Sequence, residues 1–182
     1  MTLPRLGWFQ RLRHGRGFGV HSPWAYRFIR EVLRKRLPYY AYPEVDALAV
    51  AWPGGRDNAR LLMRIAAFMQ PCVAAVGDTP LSATAARIVS LGCTAASVQG
   101  PVTADADFIV LLPGAAFDPD AVLAAAAAEG TVVIPDRRPP EMAAMLDRLR
   151  NELPTGHTFI NAFRTAVYAG NEAPAQTFSV RF

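Results

Sequence analysis

Gly77 is the residue around which a ligand site would form. It follows Val73 to Val76, a short apolar run suited to a buried strand. It precedes SATAARIVSLG over residues 82–92, whose apolar spacing is helical and which Gly92 is placed to stop. A second apolar run, CTAASVQG, closes the unit at Gly100. Strand, glycine turn, helix and strand in that order bring the free amides of a helix N-terminus to the carboxyl end of the first strand, where a ligand would sit.

Other residues with usable chemistry lie outside this unit. His21 is a candidate general base if the N-terminal segment folds over the crevice, because an unperturbed imidazole with a pKa near 6.5 suits proton abstraction near neutrality. The competing reading has it bonding backbone in a glycine-rich turn. His14 reads the same way, and His157, on a terminal strand, reads as structural or exposed. Trp24, Tyr26, Tyr39, Tyr40 and Tyr42 could line a pocket for a flat substrate. Trp24 and Phe28, however, are four apart on one helical face, which favours docking against the core. Cys72 and Cys93 lack metal spacing and each opens a predicted strand, so both are expected to be core thiols.

The elements that must position these residues follow from the punctuation. Leu3 to Arg13 has the pattern of a short amphipathic helix, and HGRGFGV then interrupts regular structure. Ser22 and Pro23 form a helix start, since serine caps free amides and proline fits the first helical position. That helix is expected to run to Leu37 and stop at Pro38. YYAYPEVDALAVAW is aromatic and then helical, and PGG at 53–55 separates a helical segment, 1–52, from an α/β core over 55–182. Arg56 to Gln70 reads as an amphipathic helix ended by Pro71. Beyond Gly100, DFIVLL and TVVIPD read as buried strands. Helices are expected from Asp118 through the alanine run and from Pro139 to Glu152, and HTFINAF, RTAVYAG and QTFSVRF alternate as antiparallel strands would. Continuous apolar strands alternating with helices imply a parallel sheet covered on both faces.

Composition narrows the class. A chain of 182 residues that is 52% hydrophobic has one domain's worth of core. No apolar run reaches the roughly 18–20 residues a bilayer span needs, and the start lacks a secretory signal pattern, so a cytoplasmic protein without a transmembrane segment is expected. The net charge of +4 is uneven: residues 1–36 hold nine Arg or Lys against Glu31 alone, while the rest holds ten basic and fourteen acidic groups. The basic segment either docks on the acidic remainder or meets a polyanion or anionic membrane surface. Nucleic acid is the weaker of these, because no nucleic-acid motif accompanies the charges.

Four segments, HGRGFGVHSPWAYRFI, LLMRIAAFMQPCVAAVGDTPLSAT, GTVVIPDRRPPEM and FRTAVYAG with QTFSVRF, together sample nearly the whole chain. In them the chain resembles the class I S-adenosylmethionine-dependent methyltransferases, within a bacterial group similar to small O-methyltransferases; HGRGFGVHSP is the most specific string. The resemblance implies a Rossmann-like α/β fold, doubly wound and mostly parallel, ending in an antiparallel hairpin. It implies S-adenosylmethionine as cofactor, with Gly77, Asp78, Thr79 and Gln99 as cofactor-binding residues. It makes His21 and Asp136 the catalytic candidates.

The departures from that family are as informative. Its cofactor loop reads acidic-x-Gly-x-x-x-Gly, and those positions fall on Ala75, Gly77 and Leu81; the acid that holds the ribose falls on Gln99. The cation ligands of metal-dependent relatives fall on Leu112, Asp136 and Arg137, so no metal is expected. Where the family continues through helix, strand and helix, this chain has only Pro101 to Ala106. CTAASVQG thereby becomes an edge strand, open to a second copy of the chain or to coverage by the N-terminal segment. Three functions stay open: a degenerate methyltransferase-like protein acting as a binding or scaffold protein for an unidentified ligand or partner; an active methyltransferase acting on an oxygen or nitrogen of a small molecule; and a binder of polyanions or membrane surfaces through residues 1–36.

Overall fold

The computed structural model describes residues 22–35, 37–162 and 164–182; the expected helix over 3–13, the stretch HGRGFGV, His14 and His21 lie outside the described residues. Helix α1, Pro23–Phe28, begins as the sequence dictates, with Ser22 Oγ accepting the amide of Ala25 at 3.2 Å. It continues as one π-helical turn, Ile29–Leu33, and stops there instead of at Leu37. The cause lies 32 residues away: Arg64 Nε donates to the carbonyl of Val32 at 2.8 Å, taking an acceptor that further helix would have used. Helix α2 is Tyr42–Leu48. Helix α3, Gly55–Met69, follows Gly54 at φ 84° and ends in Gln70 at φ 50°, just before Pro71.

Seven strands form one sheet in the order β2-β1-β3-β4-β6-β5-β7. Strands β1 (Val73–Ala75), β2 (Ser97–Gln99), β3 (Phe108–Val110) and β4 (Thr131–Ile134) are parallel; β6 (Ala166–Pro174) runs against both β4 and β5 (Thr155–Ile160). The short link after Gly100 leaves β2 at the sheet's edge. The last strand, β7 (Gln176–Ser179), corrects an expectation. It lies parallel to β5 on the outer edge. Pro174 lacks the amide to continue the ladder, and the amide of Ala175 bonds the carbonyl of Pro154 at 3.0 Å. The chain thus passes the starting end of β5 and comes up on its far side.

Strand alternation divides the core in two. Phe108, Val110, Val133 and Phe159 face α1, α2, α3 and α4 (Ser82–Gly92), whereas Ile109, Leu111, Val132 and Ile134 face α5 (Pro119–Ala127) and α6 (Pro140–Glu152). The result is an α/β protein with helices on both faces of a mostly parallel sheet. Helix α4 reaches α3 through Gly92, whose missing side chain lets it meet the Met63 carbonyl and Ala66. The segment before the sheet is held to α3 by charge-assisted bonds: Arg60 grips Asp46 through Nε at 2.7 Å and lies 4.6 Å over Tyr42, and Arg64 Nη1 meets Tyr42 Oη at 3.0 Å. Among the described residues no helix is long and apolar enough to cross a membrane. Cys93 is buried, but Cys72 is exposed, contrary to expectation. It sits one residue ahead of β1 on the rim, where its amide bonds Asp107 Oδ2 at 2.8 Å.

Candidate functional site

The crevice at the carboxyl ends of β1, β2, β3 and β4 gathers most of the predicted site residues. Gly77 adopts φ 69°, and a Cβ placed on it would stand 2.9 Å from Ala115 Cβ in the loop after β3. Its carbonyl accepts from Ser82 Oγ at 3.0 Å, and the same oxygen of Ser82 accepts the amide of Thr79 at 2.8 Å. Thr79 Oγ1 in turn accepts the amide of Leu81 at 3.1 Å. The turn is therefore wound onto the start of α4 by its own hydroxyls. Asp78, the next residue after Gly77, is exposed. Leu81, where a second glycine would bare the backbone, is half-buried and packs against the core.

The loop after β2 is close enough to touch that turn. A Cβ on Gly100 would lie 3.8 Å from the carbonyl of Gly77, and Val76 donates its amide to the Gln99 carbonyl at 3.1 Å. The Gln99 side chain bonds within its own loop, Nε2 donating to Thr103 Oγ1 at 2.5 Å. Ala75 and Leu112 are wholly buried and offer no acceptor.

Asp136 follows β4 and is buried, with both oxygens taken by Arg138: Oδ1 accepts from the backbone amide at 3.1 Å and Nε at 2.9 Å, and Oδ2 accepts from Nη2 at 2.6 Å. Hydrogen bonds from the Arg138 side chain hold this carboxyl below the usual range. It is an ionised, saturated acceptor. Sequence position singled out Arg137 as the neighbour of this acid, but the residue that pairs with it is Arg138. Arg137 donates its amide to the Arg164 carbonyl at 2.9 Å and Nη2 to the Asn161 carbonyl at 3.3 Å, which turns it toward the β5–β6 connection.

Two residues that sequence reasoning passed over fix this end of β4. Asn58 of α3 donates Nδ2 to the carbonyls of Pro53, at 2.6 Å, and Pro135, at 2.9 Å; Thr165 Oγ1 donates to Asn58 Oδ1 at 3.2 Å. The available signal was a polar residue in phase with Leu61, Leu62 and Ile65 on the apolar side of its helix. The aromatic residues do not gather as a pocket wall. Trp24 stacks on Phe28 at 5.2 Å within the core, Tyr42 is buried against Arg60 and Arg64, Tyr39 lies beside Tyr42 at 5.4 Å, and Tyr26 and Tyr40 are exposed. His157 is not exposed but buried beneath Trp24. A shallow groove between α5 and α6, lined by Phe117, Pro119, Met145 and Arg148, begins at Ala115, and Arg148 is occupied by Asp120 and Glu152. Among the described residues no three His, Cys, Asp or Glu side chains converge.

No family model, curated protein or solved structure matches the chain. The crevice presents a glycine turn, one exposed carboxylate in Asp78 and the start of α4, whose N-cap, Leu81, makes no side-chain cap bond. Asp136 is bonded to Arg138 and Gln99 Nε2 to Thr103, whereas the buried Nε of Arg137 has no partner among the described residues.

Proposed function

We propose that the chain is a methyltransferase-like protein of the Rossmann-like, doubly wound kind that no longer transfers methyl groups and acts as a binding or scaffold protein. The resemblance of four segments to S-adenosylmethionine-dependent methyltransferases supports the kinship. So does a sheet in which one reversed strand, β6, stands between β4 and β5. The observation that carries the loss of catalysis is that polar groups at the crevice bond within the chain: Asp136 to Arg138, Gln99 Nε2 to Thr103, and the Gly77 carbonyl to Ser82.

S-adenosylmethionine does not fit what remains. Its ammonium and carboxylate need acceptors and donors where Ala75 offers only a methyl group. Its ribose diol needs a charged acceptor where Gln99 is neutral and engaged, and Leu81 fills space that a glycine would leave open. Each missing charge-assisted bond costs about 1–3 kcal/mol, and two or three of them weaken binding a hundredfold or more at about 1.4 kcal/mol per decade. A thermal melt tests the reading, because ligand at about 100 times its dissociation constant adds about 2.7 kcal/mol of stability. No rise is expected with millimolar S-adenosylmethionine or S-adenosylhomocysteine. A rise of several degrees that Gly77→Val abolishes makes the active methyltransferase the better reading.

A further inference from the structure

His157 of β5 has 1% of its surface exposed and is walled by rings. Trp24 of α1 stacks on it at 5.7 Å with the planes 8° apart, Phe178 of β7 stands at 5.6 Å and Phe159 of its own strand at 6.3 Å. Its Nδ1 lies 2.6 Å from Nδ2 of Asn171 on β6. That amide cannot turn over: Oδ1 accepts the amide of Ala173 at 2.9 Å, and Nδ2 donates to the Ala169 carbonyl at 3.0 Å. Asn171 Nδ2 is therefore a donor, His157 Nδ1 accepts, and the neutral ring carries its hydrogen on Nε2, which is buried and has no partner among the described residues. A second proton must go to Nδ1, where it would meet the Asn171 N–H across 2.6 Å, donor against donor. Burial pushes this imidazole below its ordinary value, in the same direction.

The charges that surrounding elements bring do not relieve this. Helix α1 carries Arg27, paired with Glu31 at 3.0 Å and lying 5.2 Å over Phe68; the π turn adds Arg30; β6 carries the exposed Glu172; β5 and β7 carry no other charged residue. Two of the rings on His157 belong to elements at the margins of the fold, the first described helix and the outermost strand.

We propose that the His157–Asn171 pair is an acid-sensitive latch that holds α1, through Trp24, and β7, through Phe178, on the sheet while the imidazole is neutral, and lets them go when it is protonated. Release uncovers Phe68 and Phe159, the rings that Trp24 and Phe28 of α1 cover. In the opened form the imidazole titrates near its free value of about 6.5, whereas in the closed form it resists protonation. The closed form's advantage is therefore complete above about pH 6.5. It falls by up to tenfold per pH unit below that, until the lower closed-form value is reached.

The test is a pH titration of the full chain, following the imidazole nitrogens by NMR together with tryptophan emission and far-ultraviolet circular dichroism. The expected result is an Nε2–H tautomer for His157 at pH 7.5. Between pH 6.5 and 5 the tryptophan emission should shift to the red with most helical signal kept. His157→Phe, which keeps a ring in the wall, should abolish the shift. Retention of the shift in His157→Phe overturns the latch. Should that variant fail to fold, the wild-type spectrum decides: a His157 that titrates at 6.5 or above with the tryptophan signal unchanged overturns it equally.

Discussion

Asn58 Nδ2 bonds the carbonyl of Pro135, 77 residues away, at 2.9 Å, and by that contact helix α3 sets where the chain leaves β4 and where Asp136 begins. The same amide holds Pro53 and receives Thr165, so three separate parts of the chain meet on one side chain. Asn58→Ala should cost about 2 kcal/mol, because it takes a donor from the buried carbonyl of Pro135 and from the half-buried carbonyl of Pro53. Urea unfolding measures this, and a loss under about 1 kcal/mol would show that the junction does not depend on the amide.

Gly77 and Gly114 separate backbone strain from crowding. Both have positive φ, 69° and 78°, but a Cβ on Gly77 meets Ala115 at 2.9 Å while one on Gly114 meets nothing within 4 Å. Gly114→Ala should cost about 1–2 kcal/mol from conformation alone, and Gly77→Ala clearly more. Ala115→Gly should recover the difference in a double-mutant cycle. Equal costs for the two single substitutions would show that the Gly77 turn is looser than its contact with Ala115 implies.

Arg64 is buried between Val32 and Tyr42, and its bonds join the π turn and α2 to α3. Arg64→Met should cost about 3 kcal/mol, since it removes a charged donor from two acceptors and leaves them dry, whereas Tyr42→Phe should cost about 1 kcal/mol. Loss of α1 and α2 protection in hydrogen exchange should accompany the first substitution and not the second.

Much of the fold was legible because its punctuation is local. Ser22 and Asp118 cap their helices with their own side chains, and Gly92 ends α4 where it was expected. What was not legible is set by contacts between distant residues. The helix from Ser22 stops short of Leu37 where Arg64 takes the Val32 carbonyl, β7 finds its parallel place through Ala175 and Pro154, and Asp136 pairs with Arg138 while the Arg137 guanidinium turns to the Asn161 carbonyl. Cys72 escapes burial because β1 starts one residue later than its apolar run suggests. At the candidate site, the turn at Gly77 could be read from sequence; that Ser82, Thr103 and Arg138 would satisfy its neighbours could not, since hydrogen-bond partners across loops leave no periodic trace.

The outer edge of β2, unpaired among the described residues, gives a prediction about assembly. Ser97 donates its amide to the Cys72 carbonyl at 2.8 Å and the Gln99 carbonyl accepts from Val76, so Val98 between them turns its own amide and carbonyl to the free edge. As a scaffold, the chain is expected to pair there with a second copy and to elute as a dimer in light-scattering chromatography. Val98→Pro should give a monomer with little change in melting temperature. A wild-type chain that stays monomeric at high concentration would exclude this edge as an interface.

The central proposal is that the crevice does not take S-adenosylmethionine, and isothermal titration of the full chain with S-adenosylmethionine and S-adenosylhomocysteine tests it most directly. The account predicts no saturable heat for either compound below millimolar concentration. Stoichiometric binding at micromolar concentration, lost in Gly77→Val, would contradict it.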